Sequence, residues 1–456
     1  MRILIHGINF TPELTGIGKY SGELAHWLAS QGHEVRVVTA PPYYPQWMVA
    51  KGYRNGWRKE TQLCRSGFNP TGQEDVSQPR RDESRPTKQI PPSPPLIKRG
   101  CVVVYRCPLW VPAKPSGLNR VLHLASFALS SFPIMLRQIF WRPDVVWVVE
   151  PPLFCAPQAW LVARLSGGKA WLHIQDYEVD AAFDLGLLKG AALRRLVAAC
   201  DRWLMRRFDR VSTISQRMLE RALAKGVAPD RVVLFPNWVD LKGLSKAGLR
   251  DEDLGLSKTG LGGYRAEMGI AADAVVALYA GNMGGKQGLE ILAQVASLLR
   301  AEKNIAFVFC GDGAGRAALV AQCAGLPNVR FLDLQPLARL GELLGMADIH
   351  LLPQRADAAD LVMPSKLTGM LASGRPVVAT AHVNTELADV VTGCGLVVEP
   401  EQPQAFAEAI MKLAQDAALR ARLGGAGRAY AEANLDRDEV LSRFEAELKK
   451  MLRAED

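Results

Sequence analysis

Short apolar runs alternate along most of the chain with segments of helical spacing, and glycine or polar turns separate them. This pattern predicts buried strands that alternate with amphipathic helices. The predicted strands are 3–7, 34–39, 102–106, 144–149, 171–174, 210–215, 232–235, 276–280, 305–310, 329–332, 349–353 and 377–380. The predicted helices are 19–31, 118–141, 191–210, 289–299, 316–324, 340–346 and 367–372. Such alternation indicates α/β domains with doubly wound parallel sheets.

The chain of 456 residues is too long for one ordinary core, so we expect two domains of about 200 residues each. The expected division is a first domain at 1–237, a second at 238–435 and a C-terminal helix at 436–456, for which packing back on the first domain is considered. Residues 61–98 are rich in proline, glycine and charge, which predicts a disordered insertion without a catalytic role; the alternative is a regulatory or partner-binding tail. We expect the segments on its two sides to pair as strands.

The charge of the chain is uneven. Residues 1–235 carry 32 lysines and arginines against 18 aspartates and glutamates (+14), and the remainder carries 23 against 28 (−5). A basic half is typical of proteins that bind nucleic acid, an anionic membrane surface or a phosphorylated substrate, and no segment resembles a nucleic-acid-reading module. The eight cysteines lack zinc or disulfide-framework spacing, and the chain starts without a secretory signal. We therefore expect a cytoplasmic protein with no metal and no nucleic acid partner.

The stretch with the most specific chemistry is Val276–Glu290, where a strand, a glycine-rich loop and a helix follow one another. Glycines let the backbone approach a ligand, a helix start offers unpaired N–H groups, and Lys286 adds a positive charge. The combination predicts a phosphate-binding loop. The alternative is packing alone, because the same order of elements recurs in many α/β domains.

Two features of the first half lie at the carboxyl ends of predicted strands, where open α/β sheets bind ligands. Gly16 and Gly18 follow the first strand, and Asp176 and Glu178 follow the strand that contains His173. Acidic groups in such a place are costly to leave unpaired, so we assign them to ligand binding, although a helix start also favours acids without any catalysis. His173 is expected to be structural, because alternation places it inside the strand.

Residues 118–141 form the most apolar segment, but charges and a proline leave no clean run of the about 20 residues that span a membrane. A buried core helix and a helix seated in a membrane interface are both consistent with it. The helix at 191–210 carries several arginines, which are either solvated or bind anionic lipid head groups.

Five motifs, taken in order, resemble those of retaining, family-4-type glycosyltransferases with the GT-B fold. They are Gly16-x-Gly18, Pro236-Asn237-x-Val239-Asp240, Gly281-x-x-x-x-Lys286, Gly311-Asp312-Gly313 and Gly374-x-Pro376-Val377-Val378. Three longer stretches are similar to colanic acid biosynthesis glycosyltransferases, namely His6–Tyr20, Gln175–Ala182 and Gly281–Gly288. The resemblance covers nearly the whole chain except residues 61–98.

This resemblance implies two Rossmann-like domains that face each other across a cleft, with the donor in the second and the acceptor in the first. The implied reaction moves a sugar, with retention, from a nucleotide diphosphate sugar to a lipid-linked oligosaccharide in exopolysaccharide biosynthesis. Family likeness favours GDP-fucose as donor. The resemblance also implies that no metal is needed, because Lys286 neutralises the departing diphosphate. With the basic first half, it predicts an enzyme bound peripherally to an anionic surface, the inner face of the plasma membrane.

The residues carried over from the family form two sets. The donor-binding set is Gly16, Gly18, Gly281, Asn282, Lys286, Gly311, Gly313, Pro364, Ser365, Lys366 and Glu386, and the catalytic candidates are Asp176, Glu178 and Lys286. The chain departs from the broader family at Asn282, where an arginine is usual, and lacks a usual pair of glutamates near Pro364–Lys366. Lys366 is expected to supply the missing arginine's charge, the alternative being a lysine that faces water. No general base is assigned, because the leaving phosphate itself helps to deprotonate the acceptor in this fold.

Two other functions remain open at this point: a nucleotide-sugar epimerase of the same fold, and a non-catalytic nucleotide-binding scaffold. Epimerisation of the sugar without any acceptor would favour the first. Lys286→Ala that abolishes donor binding while polymer production survives would favour the second.

Overall fold

The computed structural model describes residues 1–13, 16–63, 100–113, 117–178, 191–246, 263–284, 287–356 and 363–453. The chain divides into two compact units, Met1–Trp171 and Leu172–Asp456. This division falls inside a strand, Lys169–Ile174, whereas the sequence places a boundary between residues 237 and 238. The sequence-based boundary therefore stays a prediction.

The first sheet has eight strands in the order β3-β4-β2-β1-β5-β6-β7-β8. In chain order they are β1 (Arg2–His6), β2 (Glu34–Thr39), β3 (Arg58–Leu63), β4 (Cys101–Arg106), β5 (Val145–Glu150), β6 (Lys169–Ile174), β7 (Arg210–Thr213) and β8 (Val232–Leu234). β1 pairs in parallel with β2 and with β5, and β2 pairs in parallel with β4. The strand order reverses direction at β1, and ligands of open α/β sheets bind beyond the carboxyl ends of strands at such a point.

The edge strand β3 runs antiparallel to β4, with Arg58 opposite Arg106 and Leu63 opposite Cys101. This confirms the predicted pairing of the segments that flank the insertion. The predicted insertion starts three residues too early, because residues 61–63 continue β3 through main-chain pairing that composition does not reveal. Residues 64–98 of the predicted insertion lie outside the described part of the chain.

The second sheet has six strands in the order β11-β10-β9-β12-β13-β14, and every neighbouring pair is parallel. The strands are β9 (Val275–Ala280), β10 (Ile305–Cys310), β11 (Val329–Leu332), β12 (Ile349–Leu352), β13 (Val377–Thr380) and β14 (Gly395–Val398). The strand order reverses between β9 and β12. A doubly wound parallel sheet is thus confirmed for this half of the chain, and its ligand-binding edge is expected between these two strands.

Both faces of the second sheet are buried. Val275, Ala277 and Tyr279 of β9 pack in one apolar cluster, whereas Val276 and Leu278 pack in another on the opposite face. Successive strand residues point to opposite faces, so a strand that is covered on both sides is apolar throughout. This explains why the second-half strands appear in the sequence as continuous apolar runs.

The helices connect and cover the strands. Those before β7 are α1 (Gly16–Ser30), α2 (Gly117–Gln138), α3 (Ala156–Ser166) and α4 (Ala191–Met205). Those after β7 are α5 (Gln216–Ala224), α6 (Leu241–Lys246), α7 (Tyr264–Glu267), α8 (Glu290–Leu298), α9 (Arg316–Gln322), α10 (Leu340–Gly345), α11 (Lys366–Ala372), α12 (Glu386–Cys394), α13 (Pro403–Gln415), α14 (Ala417–Asn434) and α15 (Arg437–Arg453).

The C-terminal helix α15 lies against the segment that follows β8. The Phe444 ring stacks on the Phe235 ring with centroids 4.5 Å apart, and the Val239 amide donates to the Leu435 carbonyl at 2.8 Å. Phe235 belongs to the first domain as the sequence divides the chain. That the C-terminal helix packs back on this domain stays a prediction, because Phe235 and Phe444 belong to the same compact unit of the structure.

Candidate functional site

Two glycine turns meet at the carboxyl ends of β9 and β10. Gly281 and Gly311 have φ angles of +142° and +146°, which residues with a side chain rarely adopt. A Cβ on Gly311 would lie 1.9 Å from the Gly281 carbonyl oxygen, and a Cβ on Gly313 would lie 2.6 Å from the Met283 carbonyl oxygen. The Met283 amide also donates to the Asp312 carbonyl at 2.9 Å. These turns pack backbone against backbone, so glycine is required for the two loops to approach.

Lys366 reaches this point from the start of α11. Its Nζ donates to the Tyr279 Oη at 2.9 Å and lies 4.3 Å from the centre of the Tyr279 ring. A Cβ on Gly281 would lie 3.4 Å from the lysine Cε and 3.5 Å from Nζ, so the side chain passes directly over the first glycine turn. Tyr279 is buried in β9, and its Oη donates to the Asn282 carbonyl at 2.6 Å. Tyr279 thereby fixes Lys366 beside the turn.

The electrostatics of this point favour an anion. Burial lowers the pKa of Lys366 from its usual 10.5 to about 7, because the ammonium loses hydration. Among the described residues no carboxylate forms an ion pair with its Nζ. An anion such as a diphosphate would supply the negative partner that Lys366 lacks, and it would favour the protonated form of the lysine.

The structure brings five of the predicted donor-binding residues together: Gly281, Asn282, Gly311, Gly313 and Lys366. Pro364 and Ser365 directly precede Lys366, and the Leu367 amide donates to the Pro364 carbonyl at 3.0 Å. Lys286 lies outside the described residues. The part that these residues play in donor binding stays a prediction.

Glu386 forms hydrogen bonds with the start of α5. Glu386 is the first residue of α12. Its carboxylate accepts hydrogen bonds from the Gln216 amide at 2.8 Å and the Arg217 amide at 2.9 Å. Asp389, one turn later, forms an ion pair with Arg217 at 3.2 Å. Both Glu386 oxygens therefore cap the start of α5, and the role of Glu386 in donor binding stays a prediction. The sequence pattern carries no sign of this pairing, because the partners are 170 residues apart.

The acidic segment after β6 contacts the Pro-Asn-x-Val-Asp motif. The Gln175 side-chain amide donates to the Asn237 Oδ1 at 3.1 Å and lies 3.0 Å from the His173 Nε2. His173 is buried, which lowers its pKa to about 3, and its Nδ1 lies 2.9 Å from the Ser212 hydroxyl. This agrees with a structural role for His173. Asp176 and Glu178 are half-buried beside this network, and their catalytic assignment stays a prediction.

In the first unit, Gly16 and Gly18 belong to the first turn of α1 and not to the loop that the sequence predicts. The helix begins three residues earlier than predicted, and Gly18 leaves room for Glu13. A Cβ on Gly18 would lie 2.6 Å from the Glu13 Oε2 and 2.7 Å from its Cβ. Gly16 has a φ of +59°. The role of both glycines in donor binding stays a prediction.

Glu13 is a buried carboxylate that the sequence reasoning did not single out. Its Oε1 accepts from the amides of Tyr43 at 3.0 Å and Tyr44 at 3.1 Å, and its Oε2 accepts from the Asn9 side chain at 2.9 Å. Burial raises its pKa to about 7 in spite of these donors. The available signal was its place inside the stretch His6–Tyr20, which carries the family resemblance.

Comparisons with known proteins identify the family of the chain. Residues 15–238 match the model of the glycosyl transferase 4-like domain, and residues 274–416 match that of the glycosyl transferases group 1. The chain is 42% identical to the putative colanic acid biosynthesis glycosyl transferase WcaI of Escherichia coli (strain K12), over 97% of this chain and 98% of that protein. The chain belongs to the family-4-type glycosyltransferases. The predicted family and enzyme class are thereby confirmed.

Solved structures confirm the predicted GT-B fold. The glycosyltransferase is similar to sucrose-phosphate synthase from Thermosynechococcus elongatus, with a TM-score of 0.67, 15% identity and 100% coverage of both chains. It is also similar to HepE from Anabaena in complex with UDP and glucose, with a TM-score of 0.62, 12% identity and coverage of 99% and 100%. At these identities the likeness establishes the fold alone.

Helix α2 of the glycosyltransferase has two different apolar faces. One face is buried and includes Leu124, Phe127 and Met135. The other carries a stripe with spacings of four and three residues that reaches the surface: Leu118, Leu122, Ala125, Leu129 and Phe132. Leu129 is 77% exposed, and Leu118 is 70% exposed. The sequence predicts either a core helix or an interfacial helix, and the structure combines a core face with an exposed apolar face.

An apolar groove of about 390 Å³ runs along this stripe, between α2 and the segment that contains α3. Its walls include Ala128, Leu129 and Phe132 of α2, and Phe154 and Leu161 from the α3 side. Contiguous apolar surface of this kind marks interaction sites in soluble proteins. No helix within the described ranges combines the length and the hydropathy that crossing a bilayer requires.

Proposed function

We propose that this glycosyltransferase moves a sugar from a nucleotide diphosphate sugar to a lipid-linked oligosaccharide in exopolysaccharide biosynthesis, with retention of the anomeric configuration. The observation that carries the proposal is the Lys366 Nζ, which lies beside the Gly281 turn where the second sheet reverses its strand order. The donor diphosphate meets this ammonium beside the glycine turns. Positive charge at this point stabilises the negative charge that builds on the departing diphosphate.

The donor that we put forward first is GDP-fucose, on the likeness to the colanic acid relative. UDP-sugars are the competing donors, since the HepE structure was solved with UDP and glucose. We expect transfer to need no divalent metal, because Lys366 and the predicted partner Lys286 supply the positive charge. Transfer that EDTA abolishes would contradict this part.

A thermal-shift panel of GDP, UDP and ADP with their sugars tests the donor. A ligand at one hundred times its dissociation constant adds about 2.7 kcal/mol to the stability of the protein that binds it. We expect a rise in melting temperature for one nucleoside diphosphate and its sugar. An unchanged melting temperature with every member of the panel would contradict the proposed donor site. Proton NMR of the product then tests retention, and epimerisation of the donor sugar without any acceptor would instead indicate an epimerase.

We also place the enzyme at the inner face of the plasma membrane, where a lipid-linked acceptor is presented. Three observations support this: the exposed stripe on α2, the apolar groove beside it and the net charge of +14 for residues 1–235. Apolar side chains enter the interfacial region of a bilayer, and basic residues add attraction to anionic lipids.

Leu129→Gln is expected to weaken binding to anionic vesicles about tenfold, because the bilayer buries one leucine side chain less. Sedimentation with vesicles that contain anionic phospholipid measures the change. The matched control is Val383→Gln, which alters an apolar residue of similar exposure, 71% against 77%, in the second unit. Equal binding of all three proteins, or binding that neutral vesicles reproduce fully, would argue against this orientation.

A further inference from the structure

Two buried charged side chains hold together the loops that follow β1 and β2 in the first unit. Glu13 accepts from the Tyr43 and Tyr44 amides, as described above. Arg106 of β4, 2% exposed, donates to the Thr11 carbonyl at 2.7 Å and to the Ala40 carbonyl at 2.9 Å. Glu13, in the loop after β1, thus binds amides of the loop after β2, and Arg106 binds one carbonyl of each loop. Buried charges are costly, so a pair that satisfies so many backbone groups defines the loop geometry closely.

The segment that Glu13 anchors is aromatic. We define residues 41–48 as the aromatic segment; it contains Tyr43, Tyr44 and Trp47. The Tyr43 ring packs edge-on against the His123 ring of α2 at 4.8 Å, and the Trp47 ring lies 5.1 Å from that of His123. Tyr43 is buried, whereas Tyr44 and Trp47 are half-buried.

The position of this segment relates it to ligand binding. Glu13, which anchors the segment, belongs to the loop that follows the carboxyl end of β1. It lies against Gly18, a residue in the first turn of α1. The strand order of the first sheet reverses at β1, which is the edge where such sheets bind ligands. Aromatic rings with a few fixed polar groups are typical of small-molecule sites.

We propose that Glu13 is a positioning residue for glycosyl transfer: it fixes the aromatic segment so that its half-exposed rings form the binding surface for the acceptor saccharide. The link to the acceptor rests on the proposed function, whereas the anchoring of the segment does not. Glu13 acts through the Tyr43 and Tyr44 amides and is not assigned any contact with the reacting atoms.

Three variants test this inference. Glu13→Ala leaves two buried amides without their acceptor, Glu13→Gln keeps an oxygen for them, and Glu34→Gln removes an exposed carboxylate from the same unit. Hydrogen–deuterium exchange of peptides that cover residues 41–48 measures the anchoring. Transfer kinetics with varied donor and varied acceptor measure the functional consequence.

For Glu13→Ala we expect at least about tenfold faster exchange in the aromatic segment and a rise of similar size in the KM for acceptor. The KM for donor should stay within about twofold. Glu13→Gln should restore both readouts to within about threefold, and Glu34→Gln should match the wild type. If Glu13→Ala does not fold, Asn9→Ala removes the donor to Oε2 alone and should give smaller changes of the same kind.

Unchanged exchange in a folded Glu13→Ala protein would overturn the anchoring. Faster exchange with an unchanged acceptor KM would overturn the role in acceptor binding. A parallel rise of both KM values together with a lower melting temperature would mean that Glu13 is structural only. Failure of the wild type to transfer any sugar would count against the proposed function, and the exchange experiment would still decide the anchoring.

Discussion

Lys366→Met is expected to weaken the binding of the donor's nucleoside diphosphate about 10- to 100-fold. The substitution keeps an unbranched apolar stem but removes the ammonium, and a hydrogen bond to a charged group contributes about 1.5–3 kcal/mol. Isothermal titration calorimetry with the nucleotide identified by the thermal-shift panel measures the change. Lys366→Arg should retain most of the affinity, because it keeps the charge. Lys303→Met, at an exposed position of the same unit, should bind like the wild type.

The pH dependence of this binding tests the same contact in the wild type. Because the pKa of Lys366 is about 7 in the free protein, the side chain is charged below pH 7. Above pH 7 it is a neutral amine, which must take up a proton when the diphosphate binds. We therefore expect the Kd to rise by up to about tenfold per pH unit from pH 7 towards pH 9. Lys366→Arg should show no such rise. A wild-type Kd that does not change over this range would mean that the diphosphate does not contact Lys366.

The same lowered pKa affects stability with a definite sign. Between about pH 7 and the ordinary lysine value of 10.5, the unfolded chain binds a proton at this position that the folded protein has lost. The contribution of Lys366 to the free energy of unfolding therefore increases with pH across this window. Below pH 7 both states are protonated, and the full cost of burying the ammonium is present.

Gly311→Ala is expected to lower the free energy of unfolding of the second unit by about 3–5 kcal/mol. The new Cβ would lie 1.9 Å from the Gly281 carbonyl oxygen, at a residue with a φ of +146°. Unfavourable φ and steric overlap each cost about 1–3 kcal/mol, and backbone cannot move aside as a flexible side chain can. Urea unfolding followed by circular dichroism measures the loss.

Gly325→Ala is the matched control for this substitution. Gly325 has a φ of +79° but no atom within 4 Å of its Cβ position, so it carries the backbone cost without the overlap. We expect a loss of about 1–2 kcal/mol. Equal losses for the two variants would mean that the close approach of the Gly281 and Gly311 turns is not required. Loss of nucleotide binding should accompany Gly311→Ala only.

Local patterns in the sequence determined most of the strands and their arrangement as parallel sheets, whereas several helices of the second half were not predicted. The apolar runs of β9 and β10, and the helical spacing after each, require only the alternation of side chains and the burial of apolar surface. The glycines of the turns could be recognised because a tight turn beside a strand excludes a Cβ. The order of the motifs was sufficient to indicate the family, and the comparisons confirm it.

Only the tertiary structure decided which side chains meet. Lys366 bonds to Tyr279 across 87 residues, and Glu386 caps α5 across 170 residues, because strand order and not sequence distance sets these neighbours. The anchoring by Glu13 depends on how the loops after β1 and β2 pack against each other. The exposed face of α2 likewise follows from what packs against the helix. The spacing of apolar residues along the chain shows whether a segment is a helix or a strand. Which side chains of other segments it contacts depends on the fold as a whole.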